Sequence, residues 1–190
     1  NNGRSWVRVT NTPDVEEFLM SPADPFVLYS SYALNCKSNL AAPLFRSDDG
    51  GLSWKDVNPD MSLLPLLADP YDSDTLYAAG CDGIYITHDG GYTWVALSTA
   101  ATEPLWETYV GAEMQASEGD ALYLLAHSRA GESVILYSED GGKSWSIISP
   151  EATDDSLSMS SIAVDPFVVH HRQRSAQRLG LGAGGVTGGP

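Results

Sequence analysis

The sequence predicts an all-β protein made of stacked four-stranded antiparallel units, and three observations carry that expectation. First, RSDDGGLSW (46–54) returns as ITHDGGYTW (86–94) and YSEDGGKSW (137–145), a frame of [Ser/Thr]-x-Asp-x-Gly-x-[Ser/Thr]-Trp. Second, each box is flanked by short apolar runs: PLFRS, GIYIT and VILYS before it, SWKDV, TWVAL and SWSII after it. Third, an Asp-Pro turn recurs upstream, in ADPFVLYSSY (23–32), ADPYDSDTLYAAG (68–80) and VDPFVVH (164–170). Repetition at roughly 40–50 residues marks supersecondary units that bury their apolar faces by stacking on one another.

Each element of the unit has a physical reason. Apolar alternation on both sides of a tight polar connection is the pattern of a hairpin, so the box joins two strands. Within it, Asp49, Asp89 and Asp140 are placed to accept hydrogen bonds from backbone N–H groups two or three residues on, closing an Asx-type turn. Gly51, Gly91 and Gly142 supply positive φ. The hydroxyls of Ser47, Ser53, Thr87, Thr93, Ser138 and Ser144 and the indoles of Trp54, Trp94 and Trp145 fold back to lock the turn, and the tryptophans contribute much of the buried aromatic area. The Asp-Pro turn joins the two strands before the box; EGDALYLLAH (118–127) does the same without proline. Strand, turn, strand, hairpin, strand, box, strand makes four antiparallel strands per unit, which is a β-propeller blade.

The expected blades run over about 16–57, 61–98 and 105–149. An outer strand of a preceding blade is expected near 5–10, and the opening strands of another at 158–170. NNGRSW, with Asn1, Gly3, Ser5 and Trp6, fits the second half of a box. VEEFLM (15–20) reads either as a turn of helix or as a first strand. Propellers close with four to eight blades, so three full blades with partial ones at both ends predict an open arc or a piece of a larger ring. The last twenty residues, HRQRSAQRLGLGAGGVTGGP, hold six glycines and no acid, and this Gly/Arg-rich composition (171–190) predicts a disordered tail.

Composition excludes some functions. With 25 acidic and 10 basic residues the net charge is -15, the wrong sign for a nucleic-acid partner, whose phosphates require clustered Lys and Arg. No apolar run approaches the roughly 20 residues that cross a bilayer. Cys36 and Cys81 both fall between the second and third strands of neighbouring units; equivalent points on adjacent blades are usually beyond the Cα separation a disulfide requires, so two free thiols are expected. Asp48 and Asp82 suggest calcium, but the other boxes carry His88 and Glu139 where Asp48 stands, and neither a metal nor a cofactor is expected. The glycines at 180–185 satisfy G-x-G-x-x-G, yet they follow a basic polar run rather than a strand, which removes the phosphate-cradling geometry.

The boxes, with the phrase DPYDSDTLYAAGCDGIYITHDGGYTW (69–94), resemble the Asp-box (BNR) repeat β-propellers. That family includes sialidase-like propellers, xyloglucan-active glycosidases, sortilin-type receptor domains and photosystem assembly factors. The resemblance covers residues 1 to about 170. It implies that the box residues lie at the blade periphery and serve structure, and that the protein is secreted or extracytoplasmic.

Sialidase chemistry in that family needs arginines gathered around a substrate carboxylate. Before the tail only Arg4, Arg8, Arg46 and Arg129 are present, and Arg46 and Arg129 are expected at the rim. Glycoside hydrolysis needs two carboxylates across a groove. Asp60, Glu103, Glu107, Glu113 and Asp120 lie outside the boxes, and nothing selects a pair among them, so no catalytic residue is assigned. TEPLWETYVG (102–111) is the candidate ligand-binding stretch: Trp106 and Tyr109 offer ring faces to a sugar, and Glu103 and Glu107 offer acceptors. Against that stands the expectation that Trp106 and Tyr109 lead into an inner strand and pack in its core. The function expected is a non-catalytic scaffold for protein or carbohydrate ligands, with a piece of a glycoside hydrolase as the alternative. Open blade edges invite self-association.

Overall fold

The computed structural model describes residues 3–6, 17–32, 34, 36, 43–58, 60–117, 120–128, 130–149 and 159–164. Three four-stranded antiparallel sheets follow one another along the chain, each ordered as a simple meander. The first holds β1 (Glu17–Met20), β2 (Leu28–Ser31), β3 (Leu44–Ser47) and β4 (Lys55–Asn58). The second holds β5 (Leu64–Ala68), β6 (Leu76–Gly80), β7 (Gly83–Thr87) and β8 (Val95–Thr99). The third holds β9 (Tyr109–Ala116), β10 (Leu122–Ser128), β11 (Ser133–Ser138) and β12 (Ser146–Ile147). The stretch 15–20 thus contributes a strand rather than a helical turn. One 3-10 turn, Pro104–Glu107, is the only helical element among the described residues. Its cause is local: Pro104 fixes φ at the first position and has no N–H to leave unsatisfied.

The sheets stack face to face through their first strands, β1 against β5 and β5 against β9. Between the first and second sheets lie Val27, Tyr29, Leu44 and Val57 on one side and Ala68 and Leu76 on the other. The second interface is larger, with Leu64, Leu66, Ala79 and Ile84 meeting Met114, Leu122, Leu124, Ala126, Leu136, Trp106 and Trp145. Period-two alternation selects these residues: in β7, Ile84 and Ile86 are buried while Tyr85 between them is half-buried. Gly111 lets β9 come close to the second sheet, since a Cβ there would stand 3.2 Å from both Ala79 Cβ and Ile84 Cδ1. On the far side of the third sheet, Ile162 donates its N–H to Glu113 at 3.1 Å, and Met159 donates to Ser133 Oγ at 3.2 Å. Residues 159–164 therefore lie across that face without forming a strand.

Near the start of the chain, Gly3 has φ +76° and its Cβ position lies 3.7 Å from Trp6 Cζ2. The corresponding pair in the third box, Gly142 and Trp145, has φ +89° and 3.4 Å. Of the half-box read in NNGRSW, Gly3 to Trp6 are described, and the Trp6 ring is exposed where those of Trp54, Trp94 and Trp145 are partly or fully buried. Most of the outer strand expected near 5–10, most of the partial blade at 158–170 and the whole tail at 171–190 lie outside the described residues.

The expectation of free thiols is overturned: Cys36 and Cys81 form a disulfide, with their Cα atoms 5.4 Å apart. The two cysteines do not occupy equivalent points. Cys81 sits in the two-residue turn between β6 and β7, whereas Cys36 belongs to the far longer connection between β2 and β3. A long connection can cross to the neighbouring sheet, as a tight hairpin at the same place cannot.

Candidate functional site

The three boxes share one hydrogen-bond plan. In the first, Ser47 Oγ accepts the N–H of Gly51 at 2.8 Å and donates to Asp49 Oδ1 at 2.8 Å. Asp49 Oδ1 also accepts the N–H of Ser53 at 2.8 Å, while Oδ2 accepts the Ser53 hydroxyl at 2.6 Å. Trp54 Nε1 closes the turn on the Gly51 carbonyl at 3.1 Å. The second box repeats this with Thr87, Asp89, Gly91, Thr93 and Trp94. The third repeats it with Ser138, Asp140, Gly142, Ser144 and Trp145, and adds a bond from the Lys143 N–H to Asp140. The carboxylate thus reaches four residues on, a wider turn than an ordinary Asx turn. Gly51, Gly91 and Gly142 have φ of 88°, 100° and 89°.

These bonds set the acidity of the carboxylates. The Ser53 hydroxyl, followed by its N–H, holds Asp49 down at about 2. The Ser144 hydroxyl and N–H do the same for Asp140, also to about 2. Burial raises Asp89, but the Thr93 hydroxyl and N–H outweigh it and keep the carboxyl below its usual range. A carboxylate whose oxygens already accept three or more bonds within its own turn is a poor general acid, because protonation would break those bonds.

Each box is also tied to the turn between the first two strands of its sheet. Gly50 donates to the Phe26 carbonyl, Gly90 to that of Asp74 and Gly141 to that of Asp120, at 2.9, 2.9 and 3.1 Å. Boxes and Asp-Pro turns therefore share one end of the stack. The connections from β2 to β3, from β6 to β7 and between sheets share the other, as a meander requires.

That second end carries the TEPLWETYVG stretch and the disulfide. Glu103 is half-buried ahead of the 3-10 turn, Glu107 is exposed and Tyr109 is half-buried at the start of β9. Trp106 is 1 % exposed. Its Nε1 donates to the buried Ser98 hydroxyl at 2.7 Å, and its ring meets Trp145 edge to face with centroids 6.1 Å apart. The indole thus belongs to the core between the second and third sheets and offers no face to a ligand. Of the other acids, Glu113 accepts from Ile162 N–H and Gln115 Nε2, while Asp120 lies at the box end. Among the described residues no group of three or more His, Cys, Asp or Glu is placed to hold a metal ion, and no helix is long and apolar enough to cross a membrane.

A cross-sheet cluster escaped the sequence reading. Arg46, just before the first box, donates from Nε to Asp48 at 2.7 Å and from Nη1 to the Tyr29 hydroxyl at 3.0 Å and to Asp74 of the second sheet. Its guanidinium carbon lies 5.5 Å from the centre of the Tyr29 ring, whose hydroxyl donates to the Ser73 carbonyl at 2.8 Å. The available signal was an Arg abutting a box in one unit, opposite the acidic run Asp72–Asp74 of the next.

The model of the Sortilin-Vps10 family, described as sortilin, neurotensin receptor 3, matches residues 42–178. No curated protein matches the chain. Among solved structures, the GH74 enzyme of Niastella koreensis superposes with a TM-score of 0.54 at 19% identity, over 72% of this chain and 22% of that one. The GH74 xyloglucanase of Xanthomonas campestris gives 0.55 at 19% identity, over 72% of this chain and 24% of that one. The chain thus spans about a quarter of the length of either enzyme. At that identity the likeness is one of fold: a partial β-propeller.

Proposed function

The chain belongs to the Sortilin-Vps10 family, and from that premise we propose that it is a non-catalytic propeller segment whose loops bind a protein or glycan ligand outside the cytoplasm. One observation carries this reading: Asp49, Asp89 and Asp140 are each engaged within their own turn, in three separate sheets, and converge on no common pocket. A repeated carboxylate spent on closing its own hairpin is a fold determinant. The contact surface proposed is the end carrying the inter-sheet connections, with Glu103, Glu107 and Tyr109 as ligand-facing groups. The disulfide supports an oxidising, extracytoplasmic setting. The blade edges left open by the arc are proposed as sites of association with further sheets of the same kind.

The fold likeness to two GH74 enzymes favours one second reading, a piece of a carbohydrate-active hydrolase. Turnover assays on xyloglucan and aryl glycosides, run beside binding of the same glycans and of immobilised peptides, separate the two. The scaffold reading expects binding that weakens at least tenfold in a Glu103→Gln, Glu107→Gln, Tyr109→Ala variant, and no turnover. Turnover abolished by a single carboxylate substitution would overturn it.

A further inference from the structure

We propose that the end of the stack carrying the boxes and the Asp-Pro turns is a second interaction surface, spread over the first and second sheets, that takes an arginine-rich peptide segment of a partner protein. Four large exposed side chains stand there. Phe26 and Tyr71 follow the proline of the first two Asp-Pro turns, while Leu52 and Tyr92 fill the variable place between the second glycine and the hydroxyl residue of the first two boxes. Tyr71 is 93% exposed, and the other three each expose more than half of their surface. The third box closes with the same bonds around Lys143 in that variable place, so the hairpin itself does not ask for an apolar group. Contiguous exposed apolar groups of this kind mark contact sites.

These groups are fixed before any partner arrives. Phe26 donates its N–H to Asp24 Oδ1 at 2.9 Å, and Tyr71 donates to Asp69 Oδ1 at 2.7 Å, which holds each residue at the tip of its turn. They also belong to one surface. A Cβ on Gly50 of the first box would stand 3.4 Å from Phe26 Cδ1. Arg46 carries the surface across to the second sheet, because its guanidinium bonds Asp48 beside the first box and Asp74 in the turn that carries Tyr71. A Cβ on Gly90 of the second box would run into the same guanidinium. Rigid aromatic anchors bind at low entropic cost.

Charge selects the partner. Arg46 and Lys55 are already paired with Asp48 and Asp74, whereas Asp24 and Asp69 turn only Oδ1 to their own backbones and keep Oδ2 without a donor among the described residues. The protein itself shows how this end holds a guanidinium: that of Arg46 lies 5.5 Å from the Tyr29 ring centre with its N–H groups on two carboxylates. A partner's arginine over Tyr71 or Phe26, with an N–H on Asp69 or Asp24, repeats that arrangement in the open. Leu52 and Tyr92 then cover the arginine stems. Lysine fits less well, since its ammonium cannot stack and bond a carboxylate in one plane. Lys143 repels a cation and ends the surface before the third sheet. Glu103, Glu107 and Tyr109 lie at the opposite end, so this inference goes beyond the ligand reading above and stands without it.

The test is fluorescence anisotropy of a labelled peptide of alternating arginine and glycine with the full chain, beside forms of the peptide with lysine or glutamine for arginine. Tight binding is expected for arginine, weaker binding for lysine and none for glutamine. A Phe26→Ser, Tyr71→Ser, Tyr92→Ser variant should bind the arginine peptide at least tenfold more weakly, and Tyr71→Ser alone at least threefold. Tyr71→Phe, which keeps the ring, should match the parent. Asp24→Asn, Asp69→Asn keeps a carbonyl for each turn N–H and loses only charge, and should weaken binding at least threefold. Circular dichroism of each variant should keep the parent's sheet spectrum, and the single Tyr71→Ser variant decides the matter if the triple one does not fold. No binding of the arginine peptide, binding within twofold of the parent when the rings are removed, or an equal loss in Glu103→Gln, Glu107→Gln, Tyr109→Ala would each overturn the proposal; the second result would reduce it to attraction by the net charge of -15.

Discussion

Arg46 of the first sheet and Asp74 of the second are joined by an ion pair of 2.5 Å, and a single guanidinium thereby ties the first box to the turn that supports the second. Arg46 is 12% exposed and Asp74 49%, so the pair is neither a free surface bridge nor a buried one. Its weight lies in shared partners, because Asp48, Tyr29 and Asp74 all use the same side chain. Arg46→Ala is expected to cost about 1–3 kcal/mol, most of it from lost packing over Tyr29 and from acceptors left without a donor. Arg46→Met, which keeps much of the stem, should recover part of that loss in urea unfolding. Equal stability of Arg46→Ala and its parent would show that the cluster contributes nothing.

Acid should unfold the protein through its boxes. Asp49 and Asp140 are held at about 2, against roughly 3.9 in an unfolded chain. A depressed folded-state value means that the unfolded state takes up protons first. The stabilisation is therefore complete above about pH 5 and is lost as pH falls from about 4 towards 2. Urea midpoints at pH 7, 4, 3 and 2 should be level between the first two values and drop across the last two. Asp140→Asn should lower the midpoint at pH 7 and flatten the slope below pH 4.

Two box glycines, Gly91 of the second box and Gly141 of the third, are expected to differ in their tolerance of a side chain. Gly91 has φ +100°, and a Cβ there would lie 2.8 Å from Val57 Cγ2 across the sheet interface. Gly141 has φ +70° and nothing within 4 Å. Gly141→Ala should cost only the left-handed backbone term, about 1–2 kcal/mol. Gly91→Ala adds a clash with a packed core and should cost about 1–3 kcal/mol more. Thermal unfolding of the two variants measures the difference directly.

Those contrasts show what the sequence made legible. Box residues interact within nine positions of one another, so residue type and spacing specify their bonds, and the meander follows from the apolar runs on either side. The inter-sheet terms were not legible in the same way. Whether Arg46 meets Asp74, or Cys36 meets Cys81, depends on how far one sheet is turned on the next and on the path of a long connection, neither of which leaves a periodic trace. Trp106 was ambiguous for a third reason. A Glu-Pro-Leu-Trp-Glu run suits an exposed loop by composition, and only the Ser98 hydroxyl, eight residues upstream and facing inward, turns its indole into the core.

Trp106 gives the sharpest check on where ligands act. Its indole is enclosed, bonded to Ser98 and set edge-on to Trp145. Trp106→Ala should therefore cost about 3–5 kcal/mol, as for a fully buried large side chain. Trp106→Phe keeps most of the volume and loses the hydrogen bond, leaving a buried hydroxyl unpaired at about 1–3 kcal/mol. In the folded protein the Trp106 contribution to emission, taken as the difference between the parent and Trp106→Phe, should be shielded from acrylamide and unchanged by oligosaccharide. Quenching of that difference signal by a sugar would place the ligand against Trp106 itself, and the connection-bearing end would then have to open its core to bind.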